Sequence, residues 1–411
     1  MKANYFMNLF LLLSVSCFIS CQNDDDTNTT STEERKTIVL SRAQEEMAVK
    51  NTDFALNLFK QIDAKQTGNW MASPLSASYA LGMLANGASG NTLDEIIATM
   101  GIGSSLDEIN AFHQKLTTEL KELDNRVQLG IANSIWITDD YPIYDSFKDI
   151  NRNTYQAQIE TLDLQSADAP SIINDWVAQQ TDGHIKDAIK ELPREAVAYL
   201  LNALYFKGSW SNKFEEKNTK NRDFTNADGS ITQVKMMQQW NVPLIWTQTH
   251  SYTIAELPYG NKAFSMTVLL PHEHKTVEEC MSELTADDWA SWMAKTTTRP
   301  TQVCFPRFEL NAELDLVEVM QAMGMREAFS LDGAAFPEMS PDNLYFTSFK
   351  QNSFLKINEE GAEAQTVIST TIKGDYYGSG SMILNVNRPF AFLISEKSTG
   401  VILFMGKINK L

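Results

Sequence analysis

Residues 359–380 constrain this chain more than any other stretch. They leave a run with strand chemistry at 353–357 and rejoin another at 383–386, which places them as a connection between two pieces of sheet. Their composition is nevertheless that of a strand. Val367, Ile368, Thr370, Thr371 and Ile372 are β-branched, and such side chains favour a pleated backbone. At period two, Ala362, Ala364, Thr366, Ile368 and Thr370 share one face, small or apolar and fit for burial. Glu363, Gln365, Val367 and Ser369 share the other, mostly suited to water. The far end turns glycine-rich and loses the preference. A segment patterned as a central strand but placed as a loop conflicts with its own position, and such conflicts tend to mark function.

The 411 residues exceed the usual size of a single core, although a large sheet holds one domain together at this length. A balance of 34 basic against 52 acidic residues gives a net charge of -18, which weighs against nucleic acid or an anionic membrane surface as partner. The N-terminus has targeting chemistry: Lys2, an apolar run over 5–19, then Ser20-Cys21 followed by Gln22-Asn23-Asp24-Asp25-Asp26. It resembles a bacterial lipoprotein signal, with Phe18 departing from the aliphatic residue usual three places before the cysteine. The resemblance implies a signal over 1–20, lipidation of Cys21 and anchoring in the bacterial envelope. The acidic run after Cys21 is similar to surface-export signals of Gram-negative outer-membrane lipoproteins. Residues 21–45, rich in Asp, Thr, Ser and Glu, are expected to form a flexible tether, and 46–411 the folded domain. Of four cysteines, Cys17 leaves with the signal; Cys280 and Cys304 either pair in an oxidising compartment or remain as two buried thiols.

Phe54, Leu58 and Ile62 have helical spacing, with Asn51-Thr52-Asp53 placed to cap that helix. A second helix, over 77–88, is dense in small residues and so packs closely against a sheet. Residues 129–138 read as a strand, 169–183 as a helix, and 196–210 as a strand buried on both faces. Asn202 inside that last run needs partners, since a buried unsatisfied amide costs about 1–3 kcal/mol. Residues 303–310 read as a strand and 314–329 as a helix. Gly101-Ile102-Gly103 lacks the third glycine and the preceding strand of a nucleotide loop. His272-Glu273-His274 sits in a turn without the spacing that puts two ligands on one helix face, and His250 adds no triad. Neither a metal nor a cofactor is expected. A hydrolase is disfavoured, because no nucleophile and base motif occurs.

Glu359-Glu360-Gly361-Ala362-Glu363-Ala364-Gln365-Thr366 leading into the β-branched run, followed by Asn387-Arg388-Pro389-Phe390 and Leu403-Phe404-Met405-Gly406-Lys407, resembles the hinge and C-terminal strands of a serpin. The resemblance extends over residues 47–411. It implies an α+β serpin fold with three β-sheets, eight to nine helices and an exposed, metastable reactive-centre loop over about 359–382. It further implies that Ser73, Ser76 and Asn202 belong to the shutter, where strands part, and that Trp210, Arg307 and Glu359 belong to the breach, where the loop first enters. An exposed Arg307–Glu359 pair is worth about 0–1 kcal/mol. The histidine usual in the shutter is replaced by Gln351, which donates and accepts like neutral imidazole but does not titrate.

The function implied is inhibition of extracellular serine proteases, and of cysteine proteases as a further class, by a monomer whose cleaved loop inserts as a new strand and traps the acyl-enzyme. The alternative is a non-inhibitory serpin acting as a binding module or protease substrate. Counting forward from the hinge places the scissile bond after Asp375, and counting back from Pro389 places it near Gly378. Lys373 suits a trypsin-like protease, Asp375 an acid-specific one, and Tyr376 or Tyr377 a chymotrypsin-like one.

Overall fold

The computed structural model describes residues 35–411 apart from 103–104, 140, 184, 195 and 363–381. The signal and lipidation site at Cys21, the hinge from Glu363 to Thr366, and the reactive-bond candidates Lys373, Asp375, Tyr376, Tyr377 and Gly378 all lie outside those residues.

The chain runs α1 (Arg42–Asp63), β1 (Trp70–Ala72), α2 (Pro74–Ala85), α3 (Gly90–Met100), α4 (Leu106–Glu119), β2 (Val127–Ile137), α5 (Asp145–Tyr155) and β3 (Gln158–Thr161). It continues through α6 (Ala169–Gln180), β4 (Ala198–Ser209), β5 (Lys220–Thr225), β6 (Ile231–Gln248), β7 (Tyr252–Tyr259), β8 (Phe264–Pro271), α7 (Val277–Glu283) and α8 (Ala286–Met293). Then come β9 (Thr298–Pro306), β10 (Phe308–Asp315), α9 (Val317–Met323), β11 (Lys350–Ile357), β12 (Gly361–Ala362), β13 (Met382–Asn385), β14 (Phe390–Glu396) and β15 (Ile402–Ile408).

Among the described residues the strands form two hydrogen-bonded sheets. One has nine strands in the order β1-β15-β14-β8-β7-β6-β9-β13, with β5 added on β6. The other has six, β10-β11-β12-β4-β2-β3. The expected third sheet is joined to its neighbour by the 18-residue β6. That strand pairs with β9 over Met236–Ile245, through a register shift between Gln239 and Val242, and with β7 from Ile245 to Gln248.

Several local expectations shift. Helix α1 starts well before Asn51, because Ser41 and Gln44 form a capping box that satisfies two otherwise orphaned N–H groups. Asn51 is then a buried mid-helix residue that donates to Ser78 Oγ at 3.3 Å. Within the stretch expected as tether, Ile38 is buried and its N–H donates to Ser398 Oγ at 2.9 Å. Residues 303–310 are two strands in different sheets, separated at Arg307, whose N–H turns to Lys235 O at 2.8 Å. Helix α9 is confined to seven residues, because 314–315 belong to β10 and Gly324, at φ 118°, terminates it in the left-handed region. The lower part of β4, residues 198–202, is only half-buried rather than enclosed on both faces.

The main core fills the space between the sheets and under α1, α2 and α4. A smaller apolar cluster on the opposite face of the six-stranded sheet packs Ile173, Trp176 and Val177 of α6 against Ala132, Trp136 and Ala203. Cys280 and Cys304 are buried free thiols, and burial pushes Cys280 up to about 12.

Behind the sheet lies a buried polar network. His113 Nε2 meets Ser78 Oγ at 3.0 Å and its Nδ1 meets Tyr155 OH at 3.1 Å, while Tyr155 OH donates to Asn110 Oδ1 at 2.9 Å. Since that hydroxyl has spent its one proton, the ring must donate from Nδ1 and accept at Nε2, which fixes a neutral tautomer. Burial lowers the His113 pKa from 6.5 to about 3. The unfolded chain therefore binds a proton that the native state refuses between those values, so this residue withdraws stability as pH falls from 6.5 toward 3. Urea titrations at pH 7 and pH 5 should show that His113→Gln flattens this loss by about 2 kcal/mol relative to the parent. Equal losses in the two proteins would rule out His113 as the source.

Candidate functional site

The six-stranded sheet parts between β4 and β11, and the site is built around that parting. Among the described residues the two strands share no ladder, and only the two-residue β12 lies between them. Gly361 stands opposite Ser209 and Ala362 opposite Gly208, while Ala362 also faces Ile357 of β11. The chain reverses just before this point: Asn358 N–H donates to Gly361 O and Gly361 N–H to Asn358 O, at 3.0 and 3.3 Å. Asn358 Oδ1 also accepts from Glu360 N–H at 3.0 Å. Gly361 is required here. Its φ is 146°, a region that side chains rarely adopt, and a Cβ would run into the carbonyl oxygen of Gly208.

The expected breach residues converge on this turn. Glu359 is 3% exposed; its carboxylate takes Arg307 Nη2 at 2.7 Å and accepts from Thr219 Oγ1 at 2.7 Å. The pair is therefore not the exposed one expected from sequence. Only Arg307 reaches solvent, so losing it would strand a buried carboxylate at a cost of about 1–3 kcal/mol. Glu360 pairs with Lys213. Trp210 is buried, stacks on Tyr259 with centroids 4.4 Å apart, and donates from Nε1 to Asn358 O at 2.9 Å. Its backbone N–H donates to Glu360 O at 2.8 Å, and Phe214 N–H to Glu359 O at 3.0 Å. Core packing and loop fixation are thus carried by one tryptophan.

Farther down, the expected shutter residues flank the parting as two pairs. Gln351 of β11 holds both backbone groups of Ser73, accepting from its N–H at 2.7 Å and donating to its C=O at 2.9 Å. Ser73 Oγ meanwhile caps α2 by accepting from Ser76 N–H at 3.1 Å. On the β4 side, Ser76 Oγ meets Asn202, and Asn202 meets Asn133 of β2. Asn133 donates in turn to Tyr155 O at 2.6 Å, linking the parting to the His113 network. Between the pairs lies a cavity of about 260 Å³ whose lining includes Ser76, Asn202 and Gln351.

Helix α6 lies across the front of the sheet, and the connection after it reaches over the parting. Asn174 holds Ile189 through both backbone groups, at 2.7 and 2.8 Å. Asn352 of β11 donates to Ala188 O at 2.7 Å, and Lys190 pairs with Glu313 of β10 at 2.8 Å. Sequence reasoning missed Asn133, Asn358, Lys213 and Asn352. Asn133 was detectable as a polar residue inside the apolar run of β2. The others are ordinary polar residues whose roles depend on which strands the fold places side by side.

Among the described residues no His, Cys, Asp or Glu cluster could hold a metal, and no helix is long and apolar enough to cross a membrane. A family model described as Serpin (serine protease inhibitor) matches residues 49–411. The chain is 32% identical to Iripin-1 of Ixodes ricinus over 384 residues, covering 91% of this chain and 97% of that one. It is 30% identical to antithrombin-III of Mus musculus, covering 88% and 81%. Among solved structures it is similar to the native state of tengpin, a thermophilic serpin, with a TM-score of 0.82 at 27% identity, covering 92% of this chain and 97% of that one.

Proposed function

The chain belongs to the serpin family of serine protease inhibitors, and we propose that the parting between β4 and β11 receives its own loop after a serine protease has cut it. The observation that carries this reading is the seating of Gly361 and Ala362 against Ser209 and Gly208 of β4, with Ala362 also in register with Ile357 of β11. Extending that register places Ala364 between Phe206 and Leu355, Thr366 between Leu204 and Ser353, and Ile368 between Asn202 and Gln351. These partners lie on the inward-facing rows of β4 and β11, and of the six only Asn202 is half-buried rather than buried. Small or uncharged residues are what such positions accept, because an unpaired buried charge costs several kcal/mol. On the outward face, the same register puts Val367 beside Ala203, a member of the apolar cluster under α6.

The chemistry is the protease's own. Its serine oxygen adds to the carbonyl before the scissile bond, the amine leaves, and an acyl ester tethers the enzyme to the loop. The hinge then continues the two-residue strand already begun, and the Asn352–Ala188 and Lys190–Glu313 contacts must let go as it passes beneath the strap. Each added residue gains ladder hydrogen bonds on both sides, which drives the enzyme away from its bound geometry before water can release it. Loop insertion of this kind is a known mode of strand addition in serpins. The seated hinge and the small inward row favour inhibition over a passive binding role. The scissile bond falls within 373–378, with Asp375, Tyr376 and Tyr377 the leading positions.

At the N-terminus, we place a lipid on Cys21 and the protein in the bacterial envelope, from the apolar run and Ser20-Cys21. Residues 1–20 serve as signal and the next stretch as tether to a monomeric inhibitor. Cys21→Ser should abolish incorporation of labelled fatty acid; unchanged labelling would exclude that anchor.

Incubation with a panel of trypsin-, chymotrypsin- and elastase-like proteases should yield a complex that survives a denaturing gel with at least one of them. Ala362→Arg should abolish that complex and leave the loop cleavable, since Ala362 is 1% exposed. Covalent complexes undiminished by this substitution would exclude insertion as the trapping step.

A further inference from the structure

The cavity between the two polar pairs has chemistry of its own. Its lining mixes polar side chains, among them Asn202, Lys350 and Gln351, with apolar and aromatic ones from Leu84 of α2, Tyr199 of β4 and Phe346 and Phe349 ahead of β11. At about 260 Å³ it falls just below the range of pockets that take drug-sized molecules, which limits an occupant to one or two rings. Arg194 is exposed at the lining and forms no ion pair among the described residues. The neighbouring acids have cations to hand: Glu313 is taken by Lys190 at 2.8 Å, and Asp315 stands opposite Lys350 in the β10–β11 ladder. Burial, with Asp315 and Glu313 nearby, raises the Tyr199 hydroxyl to about 12, so it stays protonated and available to donate.

From the aromatic side chains in the lining, the volume, and Arg194 and Tyr199, for which no side-chain acceptor stands among the described residues, we propose that this cavity binds a small aromatic anion, one or two rings bearing a carboxylate or sulfonate, and that its occupancy obstructs the inserting strand. The regulatory half rests on the insertion reading above. That strand brings Ile368 between Asn202 and Gln351, both of which line the cavity, so ligand and strand compete for one space. A bound anion delays insertion, water reaches the acyl ester first, and more inhibitor is cleaved without trapping a protease. The effect is to turn inhibitor into substrate in the presence of the ligand.

The probe is 5-dimethylaminonaphthalene-1-sulfonate, a two-ring fluorescent anion, titrated by fluorescence and calorimetry into the full-length protein before and after loop cleavage. One equivalent should bind the intact protein. Binding should weaken about tenfold in Arg194→Ala, which loses a charged hydrogen bond at an exposed position, and vanish in Ala80→Phe, which fills the cavity from α2. The amount of inhibitor consumed per protease trapped should rise with probe concentration in the parent and stay constant in Ala80→Phe. Binding untouched by both substitutions overturns the site. Binding that requires Arg194 but leaves the consumption ratio flat overturns the competition. Failure of the insertion reading shows separately, as a cleaved protein that binds the probe as the intact one does and melts at the same temperature; the two substitutions still decide the site in that case.

Discussion

Two residues, Gly361 and Ala362, hold β4 and β11 apart at one end of the six-stranded sheet, and the functional geometry follows from that wedge. Glycine is required at the first position because the backbone crosses Gly208 in a conformation open to little else. The turn behind it is fixed by Asn358, Trp210, Arg307 and Lys213, which together pin Glu359 and Glu360. A strand is thus begun. Its backbone is in register with β4 over two residues and with β11 over one, and among the described residues the sheet below offers two unjoined edges.

The two faces of the sheet have different jobs. Behind it, α2 packs against β4 and β15, and the Ser73, Ser76, Asn202 and Gln351 contacts hold the edges to that helix rather than to each other. Polar contacts suit this place: each is worth about 0.5–1.5 kcal/mol net, enough to set the spacing and little enough to rearrange. In front, α6 and its following strap rest on a small apolar cluster and a few named bonds. Such a unit opens at lower cost than the main core, as a strand passing beneath it requires.

Much of this was legible in the chain itself. The alternation through Ala362, Ala364, Thr366 and Ile368, the Asn202 inside an apolar run, and the acids at 359–360 all announced a strand held in reserve. The positions of Trp210, Arg307, Ser73 and Gln351 beside their partners followed from family resemblance rather than from local pattern. What stayed hidden depended on tertiary placement. Helix α1 was begun too late because Ser41 and Gln44 cap it from within an otherwise polar run. Strands β9 and β10 were fused because apolar alternation continues through Pro306-Arg307-Phe308 while the chain changes sheets. The Arg307–Glu359 pair was undervalued because exposure cannot be read from two charged letters. Nor does any sequence signal show that Asn352 and Glu313 lie side by side under the strap.

The central claim is that the intact fold stops short of its most stable arrangement, with one strand outside the sheet. It is tested most directly by the melting temperature of the protein before and after a single cut in the loop, both fragments being retained. A large rise on cleavage is predicted, because the freed segment completes the ladder between β4 and β11. An unchanged melting temperature would contradict the claim.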